Sequence, residues 1–269
     1  MKIVSFTGGL GNQLFEYLFC QRLSRRYPPV YGYYRSARMG KNGLEIQRWF
    51  DVQLPPTTWY SQMLAVFYKV MMKLRLLEES NERSYTDGKK GFYFESFWQD
   101  RRFYEEADIQ RLAFRPVSLS VRNQEILSRV QSVESVAIHV RRGDYMSSEF
   151  YEHLGSICTM EYYRMALERL QPSLSSPHYF VFSDDISWCR EHFSFLEHVD
   201  FVDWNTGEDS FYDMYLMSHC RHHTISNSTF SYWAARLSRS EGITIYPERW
   251  ARGWDAPDIF PDNWIGIFL

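Results

Sequence analysis

The stretch "SVAIHVRRGDY" (135–145) decides the reading of the fold. Its first part, residues 135–140, is an apolar run of strand length. Its second part sets His139, Arg141, Arg142 and Asp144 at the carboxyl end of that strand. Alternation along a strand sends His139 and Arg141 to one face and Val140 and Arg142 to the other. Two adjacent arginines at the end of a buried strand are costly unless something anionic meets them. A guanidinium presents a rigid fork of donors that matches phosphate oxygens. Asp144 suits the orientation of an arginine or acid/base work. A structural Arg–Asp ion pair at a sheet edge is the plainer alternative.

Downstream, the pattern alternates. Helix 159–170, with Thr159 as N-cap, precedes strand 178–185. Helix 187–193, strand 199–203 and helix 209–220 follow, then strand 222–228, helix 230–238 and a last strand at 243–247. This run of βα units predicts a parallel sheet wrapped by helices. Upstream, "KIVSF" (2–6), "TGGLGNQ" (7–13) and "LFEYLFCQRLSRRY" (14–27) read as strand, glycine-rich turn and helix, the helix stopped by Pro28 and Pro29. Residues 30–58 read as irregular, 92–98 as an aromatic strand, and 100–113 and 119–131 as helical. Each half begins with a strand. The expected class is therefore α/β, with halves 1–131 and 132–269.

Composition bounds the function. A net charge of −3 lacks the basic stripe that nucleic acid requires. Cys20, Cys158, Cys189 and Cys220 have no metal-type spacing and read as reduced thiols, which favours a cytoplasmic location. The N-terminus lacks the apolar core of a signal peptide. The stretch "WYSQMLAVFYKVMMKLRLL" (59–77) is broken by Lys69, Lys73 and Arg75. It predicts an amphipathic helix packed on a core by Trp59, Met63, Val66, Phe67, Val70, Met71 and Leu74, with membrane-surface contact left open. Aromatic residues make up 18% of the chain, which suits sugar stacking or ordinary cores.

Four polar clusters fall at strand ends, where α/β sheets bind ligands. The "GGLGNQ" turn (8–13) lets backbone approach an anion, yet it is neither the dinucleotide fingerprint nor a P-loop. "SNSTFS" (226–231) is a second anion nest, or a simple N-cap. In "FSDD" (182–185) the two adjacent carboxylates point apart. This weakens a metal reading and favours acceptance of N–H groups from a guanine edge. "HCRHH" (219–223) reads as surface and capping histidines rather than a zinc site.

Together, "GGLGNQLFEY", "YFESFWQDRRFY" (93–104), "HVRRGDY", "VFSDD" and "DMYLMSHCRHHTISNSTFSYWAARL" resemble the inverting α-1,2-fucosyltransferases in order and spacing, from residue 1 to about 250. The resemblance implies a GT-B-like fold of two Rossmann-like halves facing a central cleft. The first would be the acceptor-side half, the second the GDP-fucose-binding half. GDP-β-L-fucose is then a substrate, and no cofactor or metal is needed. The acceptor is a galactose-terminated oligosaccharide or glycolipid, fucosylated at O2. Arg141 would meet the β-phosphate, Ser228, Thr229 and Ser231 would cradle it, and Phe230 would shape the nucleotide site. Asn12 would reach the phosphate or fucose. Gly9, Gly11, Gln13, Arg142, Asp184, Asp185 and Asn227 complete the expected donor site. Asp144 and Glu149 are the candidate bases, and His139 stands with them as a catalytic candidate or a loop support. The aromatics of 92–104 and 248–264 are candidate sugar platforms or core. The missing anchor suggests a bacterial-style enzyme working from the cytoplasm or the inner membrane face. Oligomeric state is open.

Overall fold

A computed structural model describes residues 1–35, 38–78, 80–89, 91–255 and 257–268. The chain divides into two compact units, Met1–Val117 and Ser118–Leu269.

The first unit contains β1 (Lys2–Ser5), α1 (Leu10–Arg26), β2 (Val30–Tyr33), α2 (Ile46–Trp49), α3 (Trp59–Lys73), β3 (Tyr93–Phe94) and α4 (Glu106–Gln110). Its three strands are parallel in the order β2-β1-β3. Alternation along β1 sorts its side chains. Val4 joins Phe19, Phe94, Trp98 and Phe103, while Ile3 joins Tyr33, Ala65 and Tyr93. Trp98 is fully buried and stacks on Phe19 at 3.8 Å between ring centroids. Phe94, Trp98 and Phe103 are thus the core of this unit, not a sugar platform. The aromatic strand expected over 92–98 shrinks to Tyr93–Phe94, and further along Trp98 takes a positive φ of 57°.

Helix α3 corrects a second expectation. Thr58 and Ser61 form a reciprocal capping box at its start. The face that packs inward carries Ser61, Leu64, Ala65, Tyr68 and Met72. The expected core positions Trp59, Met63, Val66, Phe67, Val70 and Leu74 are exposed. Both faces are apolar, and the one with small and flat side chains fits against the sheet.

The second unit contains α5 (Val121–Ser132), β4 (Glu134–Val140), α6 (Met160–Leu170), β5 (Pro177–Ser183), α7 (Ile186–His192), β6 (Val199–Val202), α8 (Phe211–Ser218), β7 (His222–Thr224), α9 (Thr229–Arg236) and β8 (Thr244–Pro247), then β9 (Arg249–Ala251), β10 (Trp254–Asp255) and β11 (Ile265–Ile267). Six strands form a parallel sheet in the order β11-β8-β7-β4-β5-β6. Val136, Ile138 and Val140 bury one face of β4 with Tyr162, Tyr163, Ala166 and Phe193.

Three details depart from the sequence reading. Helix α5 belongs with the second unit. Its Asn123 accepts from Trp204 Nε1 at 2.7 Å and donates to Asn205 at 3.0 Å. Thr159 sits at the N-cap of α6 but makes no capping hydrogen bond. Strand β8 is not the last, since β11 adds in parallel beside it. The segment before β11 brings in Phe260, which stacks on Tyr246 at 3.9 Å, so these aromatics also form core.

Candidate active site

The strand order creates a switch point. From β4 the chain builds outward through β5 and β6, then crosses back to lay down β7, β8 and β11 on the other side of β4. In open α/β sheets, ligands bind beyond the carboxyl ends at such a reversal. The loops after β4, β5 and β7 emerge together at that edge, because all three strands are parallel neighbours.

The loop after β4 carries the arginines. Arg141 meets Asp184 Oδ2 through Nη1 and Asp144 Oδ1 through Nη2, both at 2.6 Å. Its guanidinium carbon lies 5.4 Å from the Tyr145 ring centre. Arg142 turns elsewhere. Its Nε donates to Asp185 Oδ2 at 3.0 Å and its guanidinium stacks on Trp188 at 4.1 Å. Arg141 is 35% exposed and Asp144 51% exposed, so this pair faces solvent. Glu149 lies in an exposed turn further along.

The aspartates have a different task from the one expected. Asp184 Oδ1 accepts from the backbone amides of Arg142 and Gly143 at 2.8 and 3.0 Å. Asp185 Oδ1 caps α7 by accepting from Trp188 N at 3.2 Å. Both carboxylates thus brace the arginine loop and the start of α7. Among the described residues, no three His, Cys, Asp or Glu side chains cluster as cation ligands.

The loop after β7 leads into α9. The side chain of Ser228 caps that helix, accepting from Phe230 N at 3.3 Å. Fully buried Ser231 donates to the carbonyls of Ser226 and Ser228 at 3.4 and 3.2 Å. Asn227 Nδ2 donates to Leu154 O at 3.1 Å and Trp250 O at 3.0 Å. The Ser231 hydroxyl and the Asn227 amide nitrogen therefore hold the loop, while the buried Asn227 Oδ1 has no hydrogen-bond partner among the described residues. Thr229 and Phe230 are partly exposed at the helix start, where the dipole favours an anion. Two contacts tie the loops together. Tyr145 donates to Asn227 O at 3.2 Å, and His139 Nδ1 lies 2.8 Å from Ser226 Oγ.

His139 is buried, and its ring packs 5.8 Å from Phe230. Burial, aided by the Arg141 charge, pushes its pKa down to about 3. It stays neutral at physiological pH, and its contact with Ser226 holds the β4 and β7 loops together. The other histidines are not surface groups throughout. His222 and His223 are buried in β7, and His223 bonds Met217 O at 2.9 Å.

In the first unit the glycine-rich turn ends sooner than expected, at Gly9, which is the N-cap of α1. Gly11, Asn12 and Gln13 are therefore helical. Gln13 is fully buried. It donates to Gly43 O at 2.8 Å and Gly8 O at 3.2 Å, and accepts from the amides of Glu45 and Ile46 at 2.8 and 3.1 Å. These bonds clamp the turn and leave Gln13 nothing for a donor. Asn12 is partly exposed and accepts from Gln99 at 3.1 Å. Gly9 has open space where a Cβ would stand.

Three supporting residues escaped the sequence reading. Tyr145 and Trp188 back the two arginines, and buried Glu16 accepts from Thr7 N at 2.9 Å. Trp188 had a signal, since it lies three residues after a capping Asp.

Residues 72–268 match the description of Glycosyl transferase family 11. The chain belongs to this family. An alpha-1,2-colitosyltransferase of Escherichia coli is 28% identical over 98% of both chains. The O-antigen biosynthesis glycosyltransferase WbnK of Escherichia coli is 30% identical over 51% of this chain and 46% of its own. The galactoside 2-alpha-L-fucosyltransferase SEC1 of Bos taurus is 30% identical over 49% of this chain and 38% of its own. The chain thus spans nearly all of the first relative and less than half of the other two. Among solved structures, NodZ alpha-1,6-fucosyltransferase soaked with GDP-fucose aligns with a TM-score of 0.51 and 13% identity, over 88% of this chain and 92% of that one. The α/β, GT-B-like class expected from the sequence is the fold found.

Proposed function

We propose that this family 11 glycosyltransferase moves L-fucose from GDP-β-L-fucose to O2 of a terminal β-galactose, with inversion and without a metal. The observation that carries this reading is Arg141, braced by Asp144 and Asp184 at the switch point of the sheet. The leaving group is a diphosphate, and the enzyme must stabilise its growing charge. Arg141 turns its guanidinium to the β-phosphate, which takes the place of the exposed Asp144. The start of α9, with Thr229, receives the rest of the diphosphate, and Phe230 lies against the nucleotide. The acceptor oxygen attacks the anomeric carbon from the face opposite GDP. The new glycosidic bond forms as the C–O bond to the β-phosphate breaks, which converts β to α. The acceptor proton passes to a carboxylate of the exposed loop, Asp144 or Glu149. No cofactor takes part, and the acceptor is a galactose-terminated oligosaccharide or glycolipid. The four cysteines form no disulfide, which suits the cytoplasm.

Calorimetry with GDP and GMP tests the assignment, with wild type and Arg141→Ala in parallel. GDP should bind more tightly than GMP, and the variant should erase that gap. Arg141→Ala should also cut kcat/KM by about 10²–10³-fold. Equal binding of GDP by both proteins removes Arg141 from the β-phosphate. EDTA should leave turnover intact, whereas loss rescued by Mn²⁺ defeats the metal-free reading.

The full-length relative favours a second donor. Colitose lacks the 3-hydroxyl of fucose. A site that hydrogen-bonds this hydroxyl rejects the deoxy sugar by about 10⁴-fold or more, while an apolar pocket discriminates by only about 10²-fold. Competition between GDP-fucose and GDP-colitose decides between them.

A further inference from the structure

The outward face of α3 is more apolar than its packed face. Trp59, Met63, Val66, Val70 and Leu74 follow one another at helical spacing, with Phe67 beside them. They fall within an arc of about 100° on a 3.6-residue helix. Trp59 is 75% exposed, Met63 63% and Leu74 61%. The patch continues past the helix through exposed Leu76 and Leu77. Isolated exposed apolar residues are ordinary, but a contiguous stripe marks a binding surface.

The charges around the stripe say what covers it. Residues 59–77 hold three cations, Lys69, Lys73 and Arg75, and no acid, and the first acids, Glu78 and Glu79, follow only beyond the end of the stripe. Lys69 pairs with Glu95 at 3.5 Å, while Lys73 and Arg75 are exposed. The cations cluster in the last turn and just beyond, and Trp59 and Tyr60 sit at the other end. The helix closes on a residue in the left-handed region, with Arg75 N bonding Met72 O and Leu76 N bonding Met71 O. Glycine is the usual residue there, and Arg75 holds the position at φ 58°.

We infer that α3 is an interfacial helix that lies on an anionic lipid bilayer. Its apolar stripe enters the headgroup–acyl boundary, and Lys73 and Arg75 meet lipid phosphates. At 15 residues α3 lies on a membrane rather than spanning it, and no described helix is long and apolar enough to cross one. This inference is independent of the donor and acceptor proposed above.

Co-sedimentation of the full chain with vesicles tests it. One set is phosphatidylethanolamine with phosphatidylglycerol, the other pure phosphatidylcholine. Wild type should pellet with the anionic set. The double variant Met63→Glu/Val70→Glu should stay in solution, with unchanged melting temperature because both positions are exposed. Lys73→Gln/Arg75→Gln should weaken binding by about fivefold per cation removed, and high salt should do the same. Failure of wild type to bind either vesicle overturns the inference, as does equal binding of wild type and Met63→Glu/Val70→Glu. A dimer in solution that Met63→Glu/Val70→Glu splits would also overturn it, by giving the face to a second copy.

Discussion

Gly143 should not tolerate a methyl group. A Cβ there would stand 2.4 Å from Asp184 Oδ2 and 3.0 Å from its Cγ. To restore ordinary contact the carboxylate must retreat by about 1 Å. Its Oδ1 bonds to the amides of Arg142 and Gly143 are 2.8 and 3.0 Å long, and that retreat takes them past hydrogen-bonding range. The Arg141–Asp184 pair at 2.6 Å loosens with them. Hydrogen bonds to a charged group are worth about 1.5–3 kcal/mol each, but this loop is exposed and solvent screens it, so the total falls to about 1–2 kcal/mol. That corresponds to a fall of roughly 2–8 °C in Tm for a unit of this size. The assay is a double-mutant cycle by denaturant unfolding, with Gly143→Ala in the wild-type and Asp184→Ala backgrounds. With the carboxylate gone, the methyl should cost less than about 0.5 kcal/mol. An equal cost in both backgrounds would refute the argument. Transfer activity should fall with Gly143→Ala, because Arg141 loses a brace.

Gln13→Ala should lower stability by about 2–4 kcal/mol, read by urea unfolding, because it strips partners from two carbonyls and two amides of the glycine turn. Asp213 is buried with a pKa raised to about 8, so the folded state favours its protonated form. Its stabilising contribution is full below the unfolded pKa near 4 and is lost as pH rises through 8. Asp213→Asn should therefore match wild type at pH 4 and be more stable at pH 8, with Asn205 still donating to its oxygen, as paired melting curves will show. His139, lowered to about 3, works the other way. Its contribution is full above the unfolded pKa near 6.5 and is lost as pH falls toward 3, so His139→Gln should flatten that acid slope.

The parallel second unit was readable because its strands are apolar runs punctuated by polar ends, and "HVRRGDY" marks the loop that the sheet reversal exposes. What escaped has physical reasons. Strand β2 has four residues, one of them Gly32, and it forms by pairing with β1 rather than by its own propensity. Helix α3 carries apolar side chains on both its inner and its outer face, so periodicity alone could not say which side met the sheet. A polar side chain in a glycine-rich motif looks the same in sequence whether it faces a ligand or clamps its own turn, as Gln13 does. Likewise Asp184 and Asp185 showed that carboxylates stand at a strand end, but their partners depend on where the β4 loop lies in space.

The two carboxylates that steady Arg141 also set the terms on which it can let go. Any phosphate that takes this guanidinium does so in competition with Asp144, the more exposed of the pair. Capture becomes an exchange of one anion for another, with little net change in charge at the site. On the reaction proposed above, the same carboxylate would reclaim the guanidinium once the sugar has left and only GDP is held. On that reading, a tether that weakens capture would shorten the stay of the spent nucleotide, and turnover would gain from a grip that is easily broken.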